Sequence, residues 1–159
     1  MASRHVVMYL RFVTPLIHPH SGVESGFFRA SWYLNRTNCP DWIQQELSDQ
    51  FDWFSQHLPI PGRIARHFKR RDSIWGICWF DPQAREAVSR ARYCAWLLEE
   101  GGLPVRTITT SHQREVIWRD AHQIVTKPSA NLPKAFPKRR SARREASALE
   151  GAHRSRGPN

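Results

Sequence analysis

Residues 74–80 read Ile-Trp-Gly-Ile-Cys-Trp-Phe, and directly after Asp81 and Pro82 the apolar spacing lengthens to that of a helix, with Ala84, Val88, Ala91, Ala95 and Leu98 on one stripe. An apolar run without alternation is the mark of a strand covered on both faces, and so of a central strand. Asp81 is placed to cap the helix, Pro82 suits its first turn, and Gly101 and Gly102 stop it. Its alanines let it lie close against a sheet. This strand-helix unit requires a sheet with helices packed on it. A chain of 159 residues, 40% hydrophobic with seven tryptophans and eight phenylalanines, has the material for one such packed domain. It is too short for an eight-fold barrel.

The flanking segments complete the layout. Residues 5–13 alternate as a strand, with Val6, Met8, Leu10 and Phe12 on one face and Val7, Tyr9, Arg11 and Val13 on the other; Pro15 and Pro19 are expected to end it in a loop. A helix is expected over residues 25–36. A second starts near Pro40, with Ile43, Leu47, Phe51, Phe54 and Leu58 as its core face and Pro59 and Pro61 as its end. Residues 105–110, 115–119 and 122–127 read as three strands, the last two joined as a hairpin at Asp120 and Ala121. The expected fold is α/β (α+β). It has a single mixed sheet of about five strands with three helices on it, in the order strand, two helices, strand, helix, three strands. The folded unit spans residues 1–133, and residues 134–159 read as a basic, disordered tail.

No apolar window is long enough to cross a membrane, and Arg11 interrupts the N-terminal apolar run, so a cytoplasmic protein is expected. The net charge is +10, and two segments hold all of the excess. Residues 63–71 carry Arg63, Arg66, Lys69, Arg70 and Arg71 without an acid. Residues 134–159 carry eight basic residues, among them Lys138, Arg139, Arg140, Arg143 and Arg144, against Glu145 and Glu150. Concentrated positive charge attracts a polyanion, because neutralising several phosphates releases condensed counterions. These ten residues are the expected contacts for nucleic acid, DNA or RNA, or for a nucleoprotein complex. Only Phe68 and Phe136 accompany them, which favours phosphate contact over base reading.

Catalytic and cofactor motifs are weak by comparison. Neither a Gly-x-x-x-x-Gly-Lys loop nor Gly-x-Gly-x-x-Gly occurs, so no nucleotide cofactor is expected. Cys39, Cys78 and Cys94 lack the spacing of a zinc or disulfide framework; Cys39 lies before a helix start, a position that lowers a thiol pKa. His18-Pro-His20 resembles the metal-binding triplet of barrel hydrolases without the acidic-histidine set that completes it. In residues 22–26, Gly-Val-Glu-Ser-Gly, the serine comes one step late for a nucleophile elbow, although amides following Ser25 suit an anion. Glu24, Asp120 and His122 are the remaining acid-base candidates. Trp75 and Trp79 share one side of the central strand and are read as core in preference to a base-stacking row.

Residues 8–128 resemble a set of small uncharacterised bacterial proteins. The shared pattern appears as Met8-Tyr9-Leu10-Arg11-Phe12-Val13, Ser21-Gly22-Val23 with Gly26-x-Phe28, and Trp53-Phe54 before Leu58-Pro59-x-Pro61. It continues as Ile77-Cys78-Trp79-Phe80, Leu97-Leu98 with Gly102-x-Pro104-Val105-Arg106, and residues 116–125 ending in His122-Gln123-x-Val125. The resemblance implies one compact domain and carries no activity with it. The leading expectation is therefore a non-enzymatic binding protein. A regulatory, inhibitor-like module on an acidic protein partner is the alternative, and a small metal-dependent hydrolase or nuclease using Glu24, His18, His20 or His122 comes third.

Overall fold

The structure, a computed structural model, describes residues 5–18, 22–34, 38–58, 76–111, 115–129 and 131–137. Their order is β1 (Tyr9–Ile17), β2 (Glu24–Gly26), α1 (Phe27–Leu34), α2 (Asp41–His57), β3 (Ile77–Phe80), α3 (Arg85–Glu100), β4 (Arg106–Thr110), β5 (Val116–Arg119) and β6 (Gln123–Thr126). One sheet and three helices among the described residues are as the sequence led us to expect. The sheet has a strand more, β2, and every pairing among the described residues is antiparallel.

β1 is the hub. β4 runs along one of its edges from Tyr9↔Thr110 to Val13↔Arg106. Leu10 also pairs with Phe80 of β3, and Val13 also pairs with Gly26 of β2. Since β4 already occupies one edge at both positions, β2 and β3 must share the other. The sheet therefore forks there, between Leu10 and Val13, and beyond the fork β3, β6 and β5 continue in sequence. β3 is internal, as its unbroken apolar run demands.

Two expectations about β1 and α3 are corrected. β1 does not end before Pro15 but runs through it to Ile17. Its register with β2 is irregular between Val13 and Ile17, so the proline, which has no N–H, falls where the ladder is interrupted. Asp81 does not cap α3: its Oδ1 accepts from the Gln83 amide and its carbonyl from Ala84, making a turn, and the helix begins only at Arg85. α3 closes as expected at its glycines. The Leu103 amide reaches Leu98 O and the Gly102 amide reaches Glu99 O, with Gly102 at φ +90°, the left-handed conformation this closure requires.

The core lies between the helices and one face of the sheet. Phe12, Phe27, Phe54 and Phe80 pack there with Leu34, Ile43, Leu47, Leu97 and Leu98. Ala30, Ala87 and Ala91 are fully covered, the close approach that small residues permit. Tyr9, Ile77, Trp79 and Ile124 form a smaller cluster on the opposite face. Trp79 belongs to it with 1% exposure, and its indole N–H donates to Thr126 Oγ1 at 3.3 Å. It is a core residue; Trp75 lies outside the described residues. No described helix is long and apolar enough to cross a membrane.

Candidate functional site

The fork opens a cleft of about 220 Å³ between β3 on one side and β2 with the start of α1 on the other. Arg11 borders it, with Val23, Phe28 and Ile77 among its apolar walls and Arg29 exposed beside it. The position of Arg11 follows from β1. Once β2 has displaced β3, the side chains of β1 reach across to β2's carbonyls: Arg11 Nη2 donates to Glu24 O at 2.6 Å and Thr14 Oγ1 to Ser25 O at 3.0 Å. Arg11 is only 7% exposed, and Nη1 has no hydrogen-bond partner among the described residues. Burial pulls its pKa down to about 10, an effect that the nearby Cys78 and Glu24 oppose. The guanidinium stays charged at neutral pH. The sequence placed Arg11 on one face of the strand with Tyr9 and Val13 and as a break in an apolar run, without a role at a site; the available signal was a cation flanked on both sides by core positions of the same strand.

Glu24 does something other than acid-base chemistry. Its Oε1 accepts from the Ala135 amide and its Oε2 from the Phe136 amide, each at 2.7 Å, and the carboxylate is buried. Arg106 completes the grip: Nη1 donates to Ala135 O, and the guanidinium lies 4.6 Å from the centre of the Phe136 ring. Residues 131–137 thus form a strap, and contacts to the body continue past the boundary expected at Pro133.

Asp120 is likewise engaged by hydrogen bonds. Burial alone would raise Asp120, but hydrogen bonds from Trp118 Nε1, the His122 and Gln123 amides and Gln123 Nε2 outweigh it and hold the carboxyl below its ordinary value. Asp120 staples the β5–β6 turn, and His122 Nδ1 stands 3.8 Å from it. Gln123 continues the network by accepting from the Cys78 thiol. Burial pushes Cys78 up to about 12 despite Arg11, and Cys94 likewise to about 12. Cys39 corrects the expectation for a helix start: burial, and then Asp41, raise its pKa. Ser25 is buried within β2, in no nucleophile elbow. His18 is buried beside the cleft, while His20 lies outside the described residues. Among the described residues no three His, Cys, Asp or Glu side chains are grouped to hold a metal.

The expected nucleic-acid contacts Arg63, Arg66, Lys69, Arg70, Arg71, Lys138, Arg139, Arg140, Arg143 and Arg144 all lie outside the described residues. The neighbours of both segments do not. Gly76, which follows residues 59–75, lines the cleft, and so does Glu24, which holds the strap ahead of residue 138.

Fold and site together define an α+β protein with a forked antiparallel sheet, a buried arginine at the fork and a strap clamped beside it. No family model, curated protein or solved structure matches the chain.

Proposed function

We propose that this is a non-enzymatic binding protein that engages nucleic acid, or a nucleoprotein complex, through Arg63, Arg66, Lys69, Arg70 and Arg71 together with Lys138, Arg139, Arg140, Arg143 and Arg144. The observation that carries the reading is that the described neighbours of the two basic segments, Gly76 and the strap held by Glu24, lie at the same cleft. Cations tied to one region neutralise neighbouring phosphates of a single polyanion, and arginine forks do so with little sequence preference. The body contributes little charge of its own, since outside residues 63–71 and 134–159 acids outnumber bases by one.

The test is duplex DNA and RNA binding by the full chain, followed by fluorescence anisotropy between 50 and 200 mM potassium chloride. Neutralising about five phosphates weakens binding roughly 500-fold across that range. Reversing charge at Arg139, Arg140, Arg143 and Arg144 lowers both affinity and salt slope. Binding that is absent at low salt, or flat across the series, refutes the proposal.

A second reading, a regulatory module on an acidic protein partner, is favoured by one surface. Trp42 and Trp96 are 50% and 46% exposed with rings 6.3 Å apart, and Tyr93 stacks on Trp96. Exposed aromatic clusters are common anchors for partners. A companion that survives nuclease treatment when the tagged protein is recovered from its cells would favour this reading.

A further inference from the structure

We propose that the cleft at the sheet fork is a binding site for a small organic carboxylate with an apolar body, its carboxylate held by Arg11. The inference is independent of polyanion binding, because residues 63–71 and 138–144 take no part in it.

Three observations converge. First, Arg11 is a charged side chain 7% exposed whose Nη1 has no acceptor among the described residues, although its Nη2 is engaged by Glu24 O. A buried donor left unfilled is costly, and a buried charge more so, unless an acceptor of opposite charge completes it. Second, the one carboxylate lining the cleft is already committed: both oxygens of Glu24 accept backbone amides of the strap. The guanidinium's own contact with Glu24 is to the carbonyl. Third, α1 begins at Phe27 and turns its first residues to the same space, where helix-start amides lack intrahelical partners and favour negative charge.

The class of ligand follows from charge and shape. One guanidinium with one unfilled arm matches a single negative charge; a phosphate dianion would bring a second charge towards Glu24, and the other cation at the cleft, Arg29, is exposed to solvent. Arg11 is covered and the residues around it are mostly aromatic or aliphatic, so the charged end must lead and the remainder of the ligand rests against Val23 and Phe28. A chain-internal phosphodiester, extended at both ends, cannot enter in that manner. A terminal carboxylate on a ring or short alkyl chain can. A rotamer-scale adjustment of Arg11 turns Nη1 to the incoming oxygen while Nη2 keeps Glu24 O, and the charge-assisted hydrogen bond supplies the specificity.

The experiment is calorimetric titration of the full chain at neutral pH with benzoate, hexanoate, benzamide and inorganic phosphate. Benzoate or hexanoate should bind, with benzamide and phosphate at least about tenfold weaker, since a charge-assisted pair is lost in one and apolar contact in the other. Arg11→Met should abolish carboxylate binding. Should that variant fail to fold, Gly26→Ala carries the test. Its Cβ would stand 3.5 Å from Phe12 O and 3.9 Å from Arg11 Nε and Nη2, ordinary contacts that the fold accommodates, while narrowing the space beside the guanidinium. Carboxylate affinity should fall about tenfold with the melting temperature retained. The inference is overturned if neither carboxylate binds at millimolar concentration, if benzamide matches benzoate, if the phosphate binding that Arg11→Met removes is tighter than the carboxylate binding, or if carboxylate affinity in folded Arg11→Met or in Gly26→Ala equals that of the parent.

Discussion

The strap held by Glu24 makes a prediction whose size can be worked out. Glu24→Gln keeps the length and shape of the side chain but turns one of its two acceptors into a donor. The Ala135 and Phe136 amides each donate to a separate carboxylate oxygen at 2.7 Å, so one keeps a neutral acceptor and the other faces an N–H₂ group. Hydrogen bonds to an ionised group contribute about 1.5–3 kcal/mol and neutral ones about 1 kcal/mol, which puts the loss at about 2–5 kcal/mol for this segment. Hydrogen exchange reads it directly. Under conditions where reclosing outruns exchange, protection of the two amides should fall about 30- to 5,000-fold, while amides in β3 and α3 keep theirs. The melting temperature should move little, because the strap lies outside the sheet ladders and Arg106 still grips Ala135 O and the Phe136 ring. Unchanged exchange at Ala135 and Phe136 would show that the carboxylate does not hold the strap. A uniform acceleration across β1, β2 and α1 would show that strap and fork do not open separately.

Three further outcomes follow from the same geometry. Asp120→Asn loses the Oδ2 acceptor used by Trp118 and Gln123 and should destabilise by about 1–3 kcal/mol at neutral pH in urea unfolding. Because the folded carboxyl titrates below its ordinary value, its contribution is full above about pH 4 and is lost as pH falls through the folded value, so the variant should show a flatter acid limb. Cys78 and Cys94, pushed up to about 12, should resist iodoacetamide at pH 8 in the native protein and react at ordinary thiol rates in denaturant, a contrast that mass spectrometry resolves; native-state labelling would refute their burial. Gly102→Ala meets no neighbour within 4 Å but must adopt φ +90°, and should cost about 1 kcal/mol, or a few degrees in melting temperature, by scanning calorimetry.

What could be read from the residues was whatever local periodicity controls. The stripe Ile43, Leu47, Phe51, Phe54 and Leu58 in and just after α2 and the run Ile77–Phe80 in β3 each predict their own burial, and the structure buries them except for Phe51 and Cys78, which are half-buried. The turn at Asp120 was equally legible, because an aspartate before a tight hairpin supplies its own acceptors. β2 was not. Its three residues carry no alternation to detect, and it exists because β1 continues through Pro15 and offers an edge. Arg11 was misjudged for the same reason. Its burial depends on a strand thirteen residues away whose carbonyl it reaches, and nothing in the spacing of residues 6–13 encodes that partner. Glu24 shows the limit in its strongest form, since its two acceptors are filled from more than a hundred residues along the chain.

The chain of causes at the fork runs from a single residue. Pro15 cannot donate to a ladder, so β1 is irregular between Val13 and Ile17, and pairing of β2 there takes an offset register. That offset brings Gly26 opposite Val13, on the edge where β3 has paired only as far as Leu10. β1 cannot serve both strands over the intervening residues, and the two partners part around Arg11 and Phe12. Phe12 fills the helix side of the gap with Phe27 and Phe80, whose ring centroids lie 6.2 and 6.3 Å from its own. Arg11 alternates with Phe12 along β1 and, together with Phe12, Phe27 and Phe80, borders the cleft that the parting leaves. An apolar residue at position 11 would leave Glu24 O without its guanidinium donor. The arginine thus ties β1 to β2 at the fork through Nη2, while its buried Nη1 has no hydrogen-bond partner among the described residues.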